Sequence, residues 1–206
     1  VAIRTDKSVF FHIPKTGGIW AKEAIRRTGL PYHRCRDRAV GHKELRNELN
    51  LEREHSIPAN MWPEEVKGLY SFCFVRHPLG WYKSIWSFRK LHQVLHPKFP
   101  VDQHWMPNYE QFVINMLDAY PGGFVTKLFR FYVGGVDFVG RQENLANDLV
   151  KALTFAGETF DERILRSTKR FNVSPSYEVV LSKETQERVL EVEKWVIDSF
   201  YQENYG

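Results

Sequence analysis

Apolar and polar positions along this chain alternate between a strand rhythm and a helix rhythm. Ser8-Val9-Phe10-Phe11-His12-Ile13 is a short apolar run rich in β-formers and reads as a buried strand. Pro14 ends it, and Gly17-Gly18 make a tight turn. Ile19 to Arg27 then carries helical character up to a C-cap at Thr28-Gly29. The same grammar returns at Tyr70 to Val75, a predicted strand. Arg76-His77-Pro78 is its turn, with Pro78 suited to a first helical position, and Leu79 to Lys90 continues as a helix. A third strand is predicted at Val136 to Val139. It leads through Arg141-Gln142-Glu143-Asn144-Leu145 into a helix ending near Phe155, stopped by Gly157, with Leu145, Leu149, Ala152 and Leu153 on one face. Ser182 caps a long last helix in which Val189, Val192, Val196 and Phe200 share a face. Residues 91–108, rich in Pro and His, predict a long loop, and Lys169 to Tyr177 a second one.

Strands alternating with helices predict an α/β fold. The expectation is a P-loop-like parallel β-sheet of four to five strands flanked by helices, in a single domain over residues 1–206. Ligands of such sheets sit at the carboxyl ends of the strands. The loops at 14–18 and 76–78 therefore belong on one edge, with the 91–108 loop above them. A chain of 206 residues with 43% hydrophobic content builds a core without disulfides or metals. Cys35 and Cys73 have no metal spacing, and Cys73, in an apolar run, reads as a buried small hydrophobe. No run of about 18 apolar residues occurs, so no transmembrane segment is expected. The compartment is left open between the cytoplasm and a Golgi-lumen catalytic domain, and so is the oligomeric state.

Charge sharpens this picture. The formal net charge is only +4, but Arg26 to Arg46 holds seven Lys/Arg against Asp37 and Glu44. Such a stretch favours an anionic ligand or a polyanionic substrate. The mild overall basicity argues against nucleic acid as a partner.

Two segments carry chemistry. In Pro14-Lys15-Thr16-Gly17-Gly18-Ile19-Trp20 the glycines allow close backbone approach, and the helix start behind them offers N–H groups and a positive dipole end. Lys15 adds a mobile cation and Thr16 a hydroxyl, which together make a cradle for a phosphate-like dianion. It is not a Walker A loop, because Lys15 precedes the glycines. In the second segment Arg76 ends a strand and is able to grip a phosphate with two prongs. Ser84 follows about two helical turns later.

The order strand–PKTGG–helix, then strand–Arg76-His77-Pro78–Ser84, resembles the sulfotransferase superfamily. Phe11-His12-Ile13-Pro14-Lys15-Thr16-Gly17-Gly18 is most similar to its carbohydrate and bacterial branch. The close likeness covers about forty residues in two blocks, and Arg141 to Leu145 is similar to a segment these enzymes carry before a helix. The resemblance implies transfer of a sulfuryl group from 3'-phosphoadenosine 5'-phosphosulfate to a hydroxyl acceptor, without a metal. It implies that Lys15, Thr16, Gly17, Gly18 and Ile19 bind the 5'-phosphosulfate. Trp20 stands where cytosolic members of the superfamily place an adenine-stacking Trp. Arg76 and Ser84 would hold the 3'-phosphate, and Lys169 or Arg170 would close over the nucleotide. Ile19 departs from the commoner Ser/Thr and removes one hydroxyl contact.

The acceptor hydroxyl must lose a proton, and His has the right basicity near neutrality. His42 and His55 lie in the interval between the two segments, with His33 nearer the strand, and His42, in a Gly-His step, is the expected base. His77 is expected to pack or bond backbone, His12 to be structural, and the 91–108 loop around Trp105 to shape the acceptor site. A carbohydrate, including an anionic glycan, is the expected acceptor. The alternatives are a P-loop-like small-molecule kinase and an inactive nucleotide- or glycan-binding protein.

Overall fold

The structure, a computed structural model, describes residues 2–35, 66–93, 95, 99–169 and 177–202. Five strands form one sheet in the order β3-β1-β2-β4-β5. They are β1 (Ile3–Arg4), β2 (Ser8–Phe11), β3 (His33–Arg34), β4 (Tyr70–Val75) and β5 (Phe138–Arg141). β2, β4 and β5 run parallel, with Phe11 opposite Cys73 and Val75 opposite Arg141. β1 is antiparallel to both of its neighbours. The expected all-parallel sheet is thus corrected to a mixed one. The cause is the three-residue link between β1 and β2, closed by Thr5 N–H donating to Ser8 O at 2.9 Å. So short a connection joins antiparallel strands only; parallel neighbours need a crossover.

Side chains leave the central strands alternately to the two faces. Val9, Phe11, Cys73 and Val75 enter one core, and Phe10, Phe72 and Phe74 the other. On the second face lie α1 (Gly18–Arg27), α6 (Leu145–Phe155) and α7 (Glu162–Arg166), through Ala21, Ala24, Ile25, Leu149, Ala152, Leu153 and Leu165. The first face takes α2 (Pro78–His92), α4 (Tyr109–Ala119), α5 (Phe124–Val133), α8 (Lys183–Val192) and α9 (Lys194–Phe200). Cys73 is fully buried, which pushes its thiol well above the ordinary range, and neither cysteine forms a disulfide. No helix among the described residues is long and apolar enough to cross a membrane.

The sequence pattern places β2, β4, α1, α2 and α6 within a few residues of where they lie. It shifts β5 by two and omits α4 and α5. The predicted 91–108 loop is also shorter than expected, because α2 runs on to His92 and Pro100–Gln103 forms a helical turn, α3. Ser182 does cap α8, its Oγ accepting from Thr185 N–H at 3.2 Å.

The expected long last helix is broken at Glu193, whose side chain turns into the core. This fully buried carboxylate accepts from Tyr82 Oη at 2.7 Å, Val125 N–H at 3.0 Å, and the N–H and Oγ1 of Thr126 at 2.7 Å each. It therefore caps α5 and ties α2, α5 and the last two helices together. Glu193→Ala strands four donors in the core and should cost at least ~3 kcal/mol, read as a lowered urea midpoint with the slope unchanged.

Candidate functional site

The turn between β2 and α1 is built by what holds its carbonyls. Thr16 Oγ1 donates to Ile13 O at 2.9 Å, Trp81 Nε1 to Pro14 O at 3.0 Å, and Arg76 Nη1 to Lys15 O at 3.2 Å. Three successive acceptors are thereby engaged on one side of the loop. Lys15 at φ 67° and Gly17 at φ 84° are left-handed, a backbone conformation found in anion-binding nests. The first N–H groups of a helix have no acceptor within it, and here the earliest such bond is Ala21 N–H to Gly17 O. Glycine is needed at 18 for space, since a Cβ there would lie 1.8 Å from the His12 ring.

Arg76 reaches this turn because it leaves the end of β4, the strand beside β2. Gly80 gives its guanidinium room: a Cβ there would stand 3.1 Å from Arg76 Nε. That Nε is buried and has no hydrogen-bond partner among the described residues. Lys15 Nζ lies 4.0 Å from the centre of the Phe88 ring. Burial, then repulsion from Arg76 and Arg89, holds Lys15 down to about 7. Burial also lowers Arg76, partly offset by Glu143. Arg89 is paired with Asp102 at 2.6 Å. Among the described residues no carboxylate forms an ion pair with Lys15 or Arg76. Glu143 instead accepts from His77 N–H at 2.9 Å and Tyr201 Oη at 3.0 Å, so it occupies the start of α2. Among the described residues, two cations thus stand together at the start of α1 without an ion-paired acid, an arrangement that an anion would complete.

Of the residues expected in the site, Lys15, Gly17, Gly18 and Arg76 come together with the backbone of Thr16, whose hydroxyl, expected to face the anion, is buried and donates to Ile13 O instead. Ile19 is 45% exposed on the first turn of α1, and Ser84 is 7% exposed on α2. Trp20 is 8% exposed, packs in the core with Phe10 and Ala24, and donates its Nε1 to Thr168 O at 3.1 Å. As placed, its ring has no open face for a base. His42 and Arg170 lie outside the described residues, while Lys169 is exposed. His12 sits against Gly18, and His77 meets the edge of Tyr201, both in structural settings. Trp105 is half-buried against the core. Among the described residues no group of three or more His, Cys, Asp or Glu is placed to hold a metal ion.

Sequence reading missed Phe88, Arg89 and Glu143. For Arg89 a signal existed: it falls on the buried stripe Trp81, Tyr82, Ile85, Trp86 of α2, where a charge needs a partner. No family model matches the chain, and no curated protein or solved structure matches it.

The low proton affinity of Lys15 has a stability consequence. Unfolded, Lys15 keeps its proton up to the ordinary lysine value of 10.5; folded, it loses it near 7. Between those values unfolding takes up a proton, so stability from this group rises with pH, and its cost is complete below 7. Lys15→Met should therefore raise the melting temperature at pH 6 by on the order of several degrees. The gain over wild type should shrink steadily from pH 7 towards 10.5, as calorimetric scans across that range would show.

Proposed function

We propose that this protein is a sulfotransferase that moves a sulfuryl group from 3'-phosphoadenosine 5'-phosphosulfate to a hydroxyl, with a carbohydrate as the acceptor class. One observation supports this reading most. Two largely buried cations, Lys15 and Arg76, meet at the start of α1, and no carboxylate of the described residues forms an ion pair with either. Such a corner is incomplete without an anion. A ligand anionic at both ends suits it, and the order of the two segments along the chain is the order that the superfamily resemblance requires. In this reading the sheet is a P-loop-like one, extended by β1.

The residues fit the donor in the following way. Lys15 and the N–H groups of Thr16 to Ile19 would hold the 5' end. Arg76, whose buried Nε has no partner among the described residues, and Ser84 would hold the 3'-phosphate. The donor supplies a sulfuryl group on an anhydride oxygen that departs as a phosphate anion. In-line transfer forms the acceptor oxygen–sulfur bond as that anhydride bond breaks, and the acceptor proton leaves to a base. Lys15 neutralises charge that grows on the departing oxygen, in a site where desolvation strengthens the interaction. An arriving anion also restores the ammonium form that burial disfavours. His42 is proposed as the base, with adenosine 3',5'-bisphosphate as the second product.

The test is transfer of labelled sulfate from the donor to a panel of glycans and small alcohols, without added metal. Lys15→Ala should lower turnover by about three orders of magnitude. Ser84→Ala should weaken bisphosphate binding by about tenfold, as expected for one hydrogen bond to a charged group. His42→Ala should reduce turnover more than donor binding, and full turnover in that variant removes His42 as the base. Donor binding with no labelled acceptor would leave a nucleotide-binding protein, and a requirement for ATP and Mg²⁺ would make it a kinase.

A further inference from the structure

Lys15 is surrounded by like charge. Arg76 reaches it from the end of β4, and its Nη1 donates to Lys15 O at 3.2 Å. Arg89 approaches from α2 and is satisfied by Asp102 of α3. His92 ends α2, and Glu143, beyond Arg76, is engaged by His77 N–H and Tyr201. Repulsion of this kind would drive the ammonium out to water. It rests instead 4.0 Å from the centre of the Phe88 ring, whose π-face is negative. Phe88 stands one turn past Ser84 on α2, half-buried, with the His92 ring 4.4 Å away and the Arg89 guanidinium at 5.5 Å. A rigid ring on a 15-residue helix is thus the surface that holds the cation beside the loop.

We propose that Phe88 is a positioning residue of the anion site: its ring face favours the ammonium form of Lys15 and aims the side chain at the loop before a ligand arrives. The ring stays behind the ammonium while the anion binds in front, so Phe88 acts through Lys15 and touches no ligand. Only the identity of the anion rests on the sulfotransferase reading; the contact itself does not.

Two measurements test this. The first needs no ligand: the Lys15 side chain is titrated by NMR, assigned by its loss in Lys15→Ala. Phe88→Leu should lower the Lys15 midpoint by about half to one pH unit, a three- to tenfold change. Phe88→Tyr should leave it in place. A fluorinated phenylalanine at position 88, with the same shape and a weakened π-face, should behave as Phe88→Leu does, which separates charge from packing and covers a poorly folding Leu variant. An unchanged midpoint in the Leu and fluorinated proteins overturns the proposal.

The second measurement is the affinity for adenosine 3',5'-bisphosphate across pH. Phe88→Leu should bind about three- to tenfold more weakly above the wild-type midpoint and equally well at pH 5.5. In a Lys15→Ala background it should change nothing further. A pH-independent loss, or the same loss in both backgrounds, means packing alone and overturns the proposal. Should wild type bind no bisphosphate at any pH, the sulfotransferase reading fails, and the titration still decides the role of Phe88.

Discussion

Lys15 and Arg76 are held against each other, largely out of water, with no ion-paired carboxylate among the described residues. This costs the fold free energy: burial lowers the proton affinity of both, and Lys15 also takes up a left-handed backbone at φ 67°. The rest of the structure is arranged to bear that cost. Parallel pairing of β2 with β4 brings the two turns to the same edge. Trp81, Thr16 and Arg76 fasten the carbonyls of the first turn, so its N–H groups and its cation act from a fixed frame. The Glu193 knot beneath holds α2 and α5 in place. Strain and uncompensated charge collected at one point, on rigid elements, are what an anion site needs before its ligand arrives.

Among the described residues, the acidic side chains nearby are committed elsewhere. Asp102 takes Arg89, and Glu143 takes His77 N–H and Tyr201. Either one, swung onto Lys15 or Arg76, would fill the corner from within and close it to an external anion. Pairing Arg89 with Asp102 also limits the repulsion that Lys15 must withstand. The arrangement thus separates structural ion pairing from a reserved positive charge within one short stretch of the sheet edge.

Much of this was legible in the sequence, and the reasons differ by element. β2, β4, α1 and α2 carry strong local signals: apolar runs of β-formers, Pro at a helix start, Gly at the turn. The meeting of Lys15 with Arg76 followed from topology, since loops after parallel neighbours share an edge. β1 and β3 were illegible because two-residue strands have no periodicity and are defined by their partners. The break at Glu193 was hidden because its partners, Tyr82, Val125 and Thr126, are distant in the chain. Trp20 shows the limit of position-by-position transfer: its place in the motif suggested a ring open to a base, whereas packing buries it and spends its N–H on Thr168. Phe88 left no trace at all, since a lone aromatic on an amphipathic helix reads as core.

In the proposed function Lys15, held down to about 7, waits part-protonated and is charged fully by the anion it receives. Calorimetry of adenosine 3',5'-bisphosphate binding at pH 8, in buffers of different ionisation enthalpy, measures that charging directly. Binding should take up close to one proton in the wild type and none in Lys15→Ala. Tight binding at pH 8 with no proton uptake would show that Lys15 was already charged, or is not at the ligand, and would contradict the account.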